Sequence, residues 1–534
     1  MRAGAHFDKV ESSRRAANRS LSPPSGERLV AASISPEHAL AHAISLLQRF
    51  TTISQNYNVG HRSQWTAGRL CGGNPGTPRL HGTDKPIEGN GCAGKDRQPV
   101  VWFEVEDFLR YFDHFRNPTG LQRVPFEIFV EAERLYGGCG RVRFCRLSVY
   151  TRQLKPIGFN TIMSAYLAPP GASAPWKTVW APARLWGKFA KTVPVIIRHP
   201  RFFVRISKTA VRDLIDMVIR PHSFGQLACP GDIVVSLGAS WSFPDYVKHI
   251  SAAKRRYGIR FAILIYDMIP IENETLVEER HILQFRKWLQ EAISDTNVVL
   301  TISNHSRHAL LEFAADAGWS LPGVEVVGLG ADLSHRPIAT SRRRLCFPPR
   351  YVLFVSTIEI RKNHRLLVRV WQRLMERHGA EDVPVLIFAG QIGWMVDDLL
   401  ADLAASGYLG GKIEHMSDLS DAELDDAYHR CLFTVFPSFC EGWGLPIAES
   451  LAHGKFCVAS NRTSIPEVGG DLIDYFDPSN DDDALAKIER LLFEPGYLAA
   501  REARLRAEYR PRTWEECVHA LIRKLNRPMP TAKE

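Results

Sequence analysis

The stretch from Leu432 to Asp471, LFTVFPSFCEGWGLPIAESLAHGKFCVASNRTSIPEVGGD, constrains the fold of this chain more than any other. Leu432 to Phe436 is a short apolar run with aromatic and β-branched residues, which predicts a strand. A Gly-containing loop follows, and Pro446 has the fixed φ suited to the first turn of a helix. Ile447, Ala448, Leu451 and Ala452 give that helix an apolar face, Gly454 stops it, and Phe456 to Ala459 predicts a second strand. The order is a βαβ unit.

Within the loop, Gly442 and Gly444 leave backbone N–H groups approachable beside the positive end of a helix dipole, where an anion such as phosphate is held. Glu441 and Glu449 bracket that place in the order E-G-W-G-L-P-I-A-E. Carboxylates accept hydrogen bonds and repel phosphate, so their natural partners are hydroxyl groups. A ligand with phosphate in the middle and a diol at each end, as in a nucleotide sugar, satisfies all three features. The plainer alternative makes Glu449 a complement to the helix dipole and Glu441 a solvated loop residue.

The pattern F-P-S-x-x-E-G-x-G-L-P-x-x-E-x-x-x-x-G resembles the donor-binding signature of the retaining glycosyltransferases of family 4 (glycosyl transferases group 1). The resemblance implies an α/β GT-B fold, with two Rossmann-like domains facing across a cleft. It also implies that Glu441 meets the sugar hydroxyls, that Glu449 meets the ribose diol, and that Gly442, Trp443, Gly444 and Leu445 lie along the donor.

A chain of 534 residues with 45% hydrophobic content can hold two such domains plus further segments. Its ten Cys show no C-x-x-C pair and no Cys/His cluster at metal spacing, so they read as reduced thiols of a cytosolic protein, with no structural metal implied. No run of about 18 apolar residues exists, so membrane contact is expected to be peripheral. The net charge of +9 comes without a recognisable nucleic-acid module. Anionic lipid or a diphosphate ligand accounts for it equally well.

Residues 1–98 lack periodicity and are expected to be mostly disordered, apart from one amphipathic helix from Pro36 to Phe50. A targeting peptide or a misassigned start would also leave such a segment; Asp8, Glu11 and Glu27 argue against the former. Residues 99–335 are expected to form the acceptor domain. It opens with the strand VVWFEV and then T-G-L-Q-R-V, a loop before a helix from Phe126 to Tyr136. T-G-L-Q-R-V is similar to an acceptor-side element in a subgroup of the family, which places Gly120 and Arg123 there. The strand Phe261 to Tyr266 ends in Asp267, where many family members have a His-Asp pair; Tyr266 stands in place of the His. A basic, aromatic insert near 176–221 reads either as a surface for an anionic membrane or as a solvated helix face.

Residues 336–350 are expected to be a linker and 351–525 the donor domain, with a final helix crossing back and a tail at 526–534. After the strand Tyr351 to Thr357 come Arg361 and Lys362, two cations suited to a diphosphate leaving group. Ser420 and Glu423 form a capping box, and Asp481 to Asp483 fall in a polar loop. With Asp267 and Glu441, Arg361 and Lys362 complete the expected catalytic set, and no metal is called for.

The reading is transfer of a mannose-like hexose, with retention, from a nucleotide-diphosphate sugar to a glycan or lipid-linked saccharide acceptor in cell-surface polysaccharide synthesis. The expected location is cytoplasmic, at the inner face of the membrane, with no nucleic-acid partner. The alternatives are a catalytically silent nucleotide-sugar binder and a same-fold epimerase or phosphorylase. A dinucleotide oxidoreductase lacks its G-x-G-x-x-G after any strand.

Overall fold

The protein's structure is a computed structural model. It describes residues 97–527 apart from 114, 116–117, 149–150, 168–222, 244 and 332–345. The chain divides into two units, Met1–Pro86 and Ile87–Glu534, and all the described residues belong to the second. The expected helix from Pro36 to Phe50, the basic insert and most of the linker lie outside the described residues.

Two sheets organise the second unit. The first has seven strands, β1 Val101–Glu104, β2 Val142–Leu147, β3 Leu154–Ile157, β4 Ile233–Ser236, β5 Arg260–Ile265, β6 Val298–Thr301 and β7 Val324–Val326. They lie in the order β3-β2-β1-β4-β5-β6-β7, parallel except for the β2/β3 pair. The second has six parallel strands, β8 Tyr351–Val355, β9 Val385–Ala389, β10 Ile413–Met416, β11 Thr434–Phe436, β12 Cys457–Ser460 and β13 Asp474–Phe476, in the order β10-β9-β8-β11-β12-β13.

Both sheets are buried on both faces, which is why their strands read as unbroken apolar runs. In β1, Val101 and Phe103 enter one core while Val100 and Trp102 enter the other. In β8, Val352 and Phe354 face one core and Tyr351 and Leu353 the opposite one.

The helices that bear on the site are α1 Glu106–Phe112, α2 Gly120–Ala132, α3 Asn304–Asp316, α4 His364–His378, α5 Asp421–Arg430, α6 Leu445–Ala452, α7 Ile465–Gly469, α8 Asp481–Phe493 and α9 Trp514–Leu525. The last of these crosses back as expected: Trp514, Cys517, Val518, Leu521, Ile522 and Leu525 join the first sheet's core. Thr513 and Glu516 close a capping box at its start, and Tyr136 Oη and His519 Nδ1 meet at 2.6 Å.

Several local expectations differ. T-G-L-Q-R-V is helix, not loop: Thr119 is the N-cap of α2, and its amide and hydroxyl both point at Gln122 Oε1, at 3.3 and 2.6 Å. Asp481 to Asp483 form the first turn of α8 rather than a loop. Asn480 Oδ1 accepts from the amides of Asp482 and Asp483, and three carboxylates at a helix start suit the dipole. Among the described cysteines, Cys229 is disulfide-bonded and the other seven are free thiols. No helix among the described residues is long and apolar enough to cross a membrane.

Candidate active site

In the second sheet the strand order reverses between β8 and β11, and the crevice outside the carboxyl ends of such neighbours is where open α/β sheets take ligands. Both segments singled out from sequence emerge there. The chain leaving β8 is fixed by its neighbour after β9: the Ile358 amide donates to Gln391 O and the Gly393 amide to Ile358 O, each at 2.8 Å. A short turn, Ile360–Lys362, follows. Asn363 precedes α4, and its side chain does not cap the helix; its Nδ2 donates to Pro437 O and Pro478 O and so fastens this turn to the segments that follow β11 and β13.

The two loops meet at Glu441. Arg361 Nη1 donates to Glu441 Oε2 at 2.8 Å and also to Cys440 O at 2.8 Å. Lys362 Nζ donates to Glu441 Oε1 at 2.5 Å, and Arg361 Nη2 reaches Glu359 Oε1, a further buried carboxylate, at 2.5 Å. Burial alone raises the pKa of Glu441, but Arg361 and Lys362 outweigh it and hold the group at about 2. Two cations and two carboxylates therefore form a closed charge network at the mouth of the β11 loop.

Gly442 lies against the end of β5. A Cβ at this position would stand 2.7 Å from Tyr266 O and 3.0 Å from Asp267 Cβ, so only glycine permits the approach. Gly444, the N-cap of α6, has φ +121°, a conformation that other residues rarely take. Trp443 and Leu445 pack against the first sheet's core. Asp267 accepts from the Ile269 amide at 3.1 Å, and burial raises its pKa against the opposing charge of Arg361. The Tyr266 side chain turns inward, its hydroxyl donating to Leu237 O at 2.8 Å, so this position offers no imidazole toward the β11 loop.

At the other end of the loop stands Glu449, buried on α6. Its Oε1 accepts from Arg123 Nη1 at 3.1 Å and its Oε2 from the Tyr428 hydroxyl at 3.0 Å. Arg123 also reaches Asp421 Oδ1 at 2.5 Å, and Tyr166 donates to Asp421 Oδ2 at 3.3 Å. Gly120 lies beside Leu445, whose Cδ1 would be 3.6 Å from an added Cβ.

The residues picked out from sequence thus gather into two groups. Glu441, Arg361, Lys362, Gly442 and Asp267 form one; Glu449, Arg123, Leu445 and Gly120 form the other, with the loop between them. Sequence reasoning missed Glu359, Asp421, Tyr428 and Glu467. Asp421 and Tyr428 lie seven apart on α5 and share a face, which is a readable spacing. Glu467 gave no local sign: it accepts from the Asn304 and His305 amides at 2.8 Å, capping α3 from the other sheet's side.

Residues 341–511 match the family model described as "Glycosyl transferases group 1". This region is a group 1 glycosyltransferase domain. The matched region contains β8 to β13 with Glu359, Arg361, Lys362, Asp421, Tyr428, Glu441 to Leu445, Glu449 and Glu467, whereas Gly120, Arg123, Tyr166, Tyr266 and Asp267 lie outside it. The chain is similar to the O-antigen chain mannosyltransferase B of Escherichia coli, with 32% identity over 245 residues, 44% of this chain and 62% of that protein. It is also similar to the serotype-specific mannosyltransferase WbdA of Escherichia coli, with 24% identity over 280 residues, 50% of this chain and 34% of that protein. It therefore spans less than two thirds of the length of these curated relatives. Among solved structures, Anabaena Alr3699/HepE in complex with UDP and glucose is 14% identical, covers 80% of this chain and 99% of its own, and has a TM-score of 0.49.

Proposed function

We propose that this chain transfers a mannose-like hexose, with retention, from a nucleotide-diphosphate sugar to a glycan or lipid-linked saccharide in cell-surface polysaccharide synthesis. The observation that carries the reading is the convergence of Arg361, Lys362 and the Gly442–Leu445 turn on one point after β8 and β11, with a carboxylate at each end. The names of the Escherichia coli relatives favour mannose.

The diphosphate rests on the amides of Gly442 to Leu445, at the positive end of α6. As the bond from the anomeric carbon to the phosphate oxygen breaks, negative charge grows on the departing diphosphate, and Arg361 and Lys362 meet it. Fixed cations of this kind lower a barrier by several kcal/mol. The acceptor oxygen bonds to the anomeric carbon from the same face, and its proton passes to the departing phosphate oxygen. Glu441 then exchanges part of its hold on the two cations for the sugar hydroxyls, while Glu449 accepts from the ribose diol. Because protein cations meet the leaving charge, turnover does not depend on added magnesium or manganese.

We place the reaction at the cytoplasmic face of the membrane, where the basic segment from Arg184 to Arg220 meets anionic lipid. Sedimentation with anionic liposomes should then fall as salt rises.

The inward-turned Tyr266 favours one alternative, a binder without turnover. Thermal stabilisation across a panel of nucleotide sugars, followed by donor hydrolysis with the stabilising one, separates the two. Saturation at about 100 times the dissociation constant adds about 2.7 kcal/mol. Stabilisation with hydrolysis supports the transferase, stabilisation without hydrolysis the binder, and no stabilisation contradicts both.

A further inference from the structure

We infer that Asp425, His429 and His453 form a binding site for a zinc-like divalent cation at the C-terminal end of α6, away from the phosphate turn at its start. His453 is the C-cap residue of α6, and its side chain is only 1% exposed. Its Nδ1 lies 2.7 Å from Glu449 O. A carbonyl only accepts, so this nitrogen carries the ring proton. The other nitrogen, Nε2, then presents a lone pair, yet it faces Asp425 Oδ1 at 2.9 Å. A lone pair aimed at a carboxylate needs a positive centre, either a second proton or a metal ion.

His429 adds a second imidazole beside that pair. It stands one turn after Asp425 on α5, its Nδ1 2.9 Å from Asp425 O and 3.4 Å from Asp425 Oδ2, and its ring meets His453 edge-on with centroids 4.8 Å apart. One ligand atom from each of the three residues lies within 4.8 Å of the others. Two imidazoles and a carboxylate are the donors zinc takes, with water in the fourth place. Ligating histidines commonly give their second ring N–H to a backbone carbonyl, which fixes the tautomer. His453 is held that way by Glu449 O. The cation would also face the negative end of the helix dipole.

The site touches Glu449 twice. His453 holds the Glu449 carbonyl, and its ring stacks at 4.8 Å on Tyr428, whose hydroxyl donates to the Glu449 carboxylate. Bound metal would therefore staple α5 to the end of α6 and steady Glu449. The inference is independent of the proposed transfer reaction and departs from the expectation that the chain has no structural metal.

The test is calorimetric titration of metal-stripped full-length protein with zinc chloride, with melting followed in parallel. Expected are one zinc per chain and a rise in Tm. Asp425 and His429 are about half exposed, so Asp425→Asn and His429→Ala should fold normally. Each variant should bind zinc at least about a hundredfold more weakly and lose the rise in Tm. Absence of stoichiometric zinc in the parent protein would overturn the inference. So would unchanged affinity in both variants, which would assign the metal to other groups such as the exposed thiols of Cys139 and Cys346.

Discussion

Arg123 Nη1 stands 3.1 Å from Glu449 Oε1, joining a helix that packs on the first sheet to the helix that follows the Gly442–Gly444 turn of the second. The same guanidinium holds Asp421 at 2.5 Å. A residue expected at the acceptor side thus clasps the carboxylate expected at the ribose. Arg123→Ala removes the cation facing a buried carboxylate, which should cost roughly 3 kcal/mol of stability. Urea unfolding checks this, and Arg123→Ala combined with Glu449→Gln should recover most of the loss, because the charge left behind is then gone.

Gly442→Ala should reduce turnover about a hundredfold while the circular dichroism stays that of the parent. The added methyl would meet Tyr266 O at 2.7 Å, and backbone there cannot move aside, so the loop must shift by a fraction of an ångström to an ångström. Full turnover in this variant would show that the approach of the loop to β5 plays no part in the reaction.

A pH effect is expected at Glu104, which ends β1. It accepts from the Glu106 and Leu147 amides and from the Tyr246 hydroxyl, and burial raises its pKa to about 7 despite those bonds. A folded pKa above the unfolded one contributes stability that is complete below the unfolded value of about 4.5 and is lost as pH rises through 7. Between pH 5.5 and 8 the loss is roughly 2 kcal/mol at about 1.4 kcal/mol per pKa unit. Glu104→Gln carries no charge to bury, so its unfolding free energy should vary less over that range. A parent and variant with equal pH slopes would contradict the assignment.

The strand–loop–helix unit was legible because its signals are local: an apolar run, two glycines, Pro446 and a stop at Gly454. The pairing of Arg361 and Lys362 with Glu441 was not, since it joins residues about 80 positions apart through the contact of β8 and β11. For the same reason Arg123 was placed by resemblance on one side of a cleft while its partners Asp421 and Glu449 belong to the other sheet. The start of α2 escaped for a different reason: Gly120 and Pro125 are weak helix formers, and the box between Thr119 and Gln122 outweighs them.

The central claim is that Glu441 and Glu449 hold opposite ends of one nucleotide sugar. Calorimetric titration of the nucleoside diphosphate into Glu441→Ala and Glu449→Ala, beside steady-state kinetics, tests it most directly. Glu449→Ala should weaken diphosphate binding by roughly 1.5 to 3 kcal/mol and mainly raise the donor KM, because its bonds exist in ground and transition states alike. Glu441→Ala should leave diphosphate affinity nearly unchanged and lower kcat more than it raises KM, because it frees the ring that reacts. Equal weakening of diphosphate binding in the two variants would contradict the account.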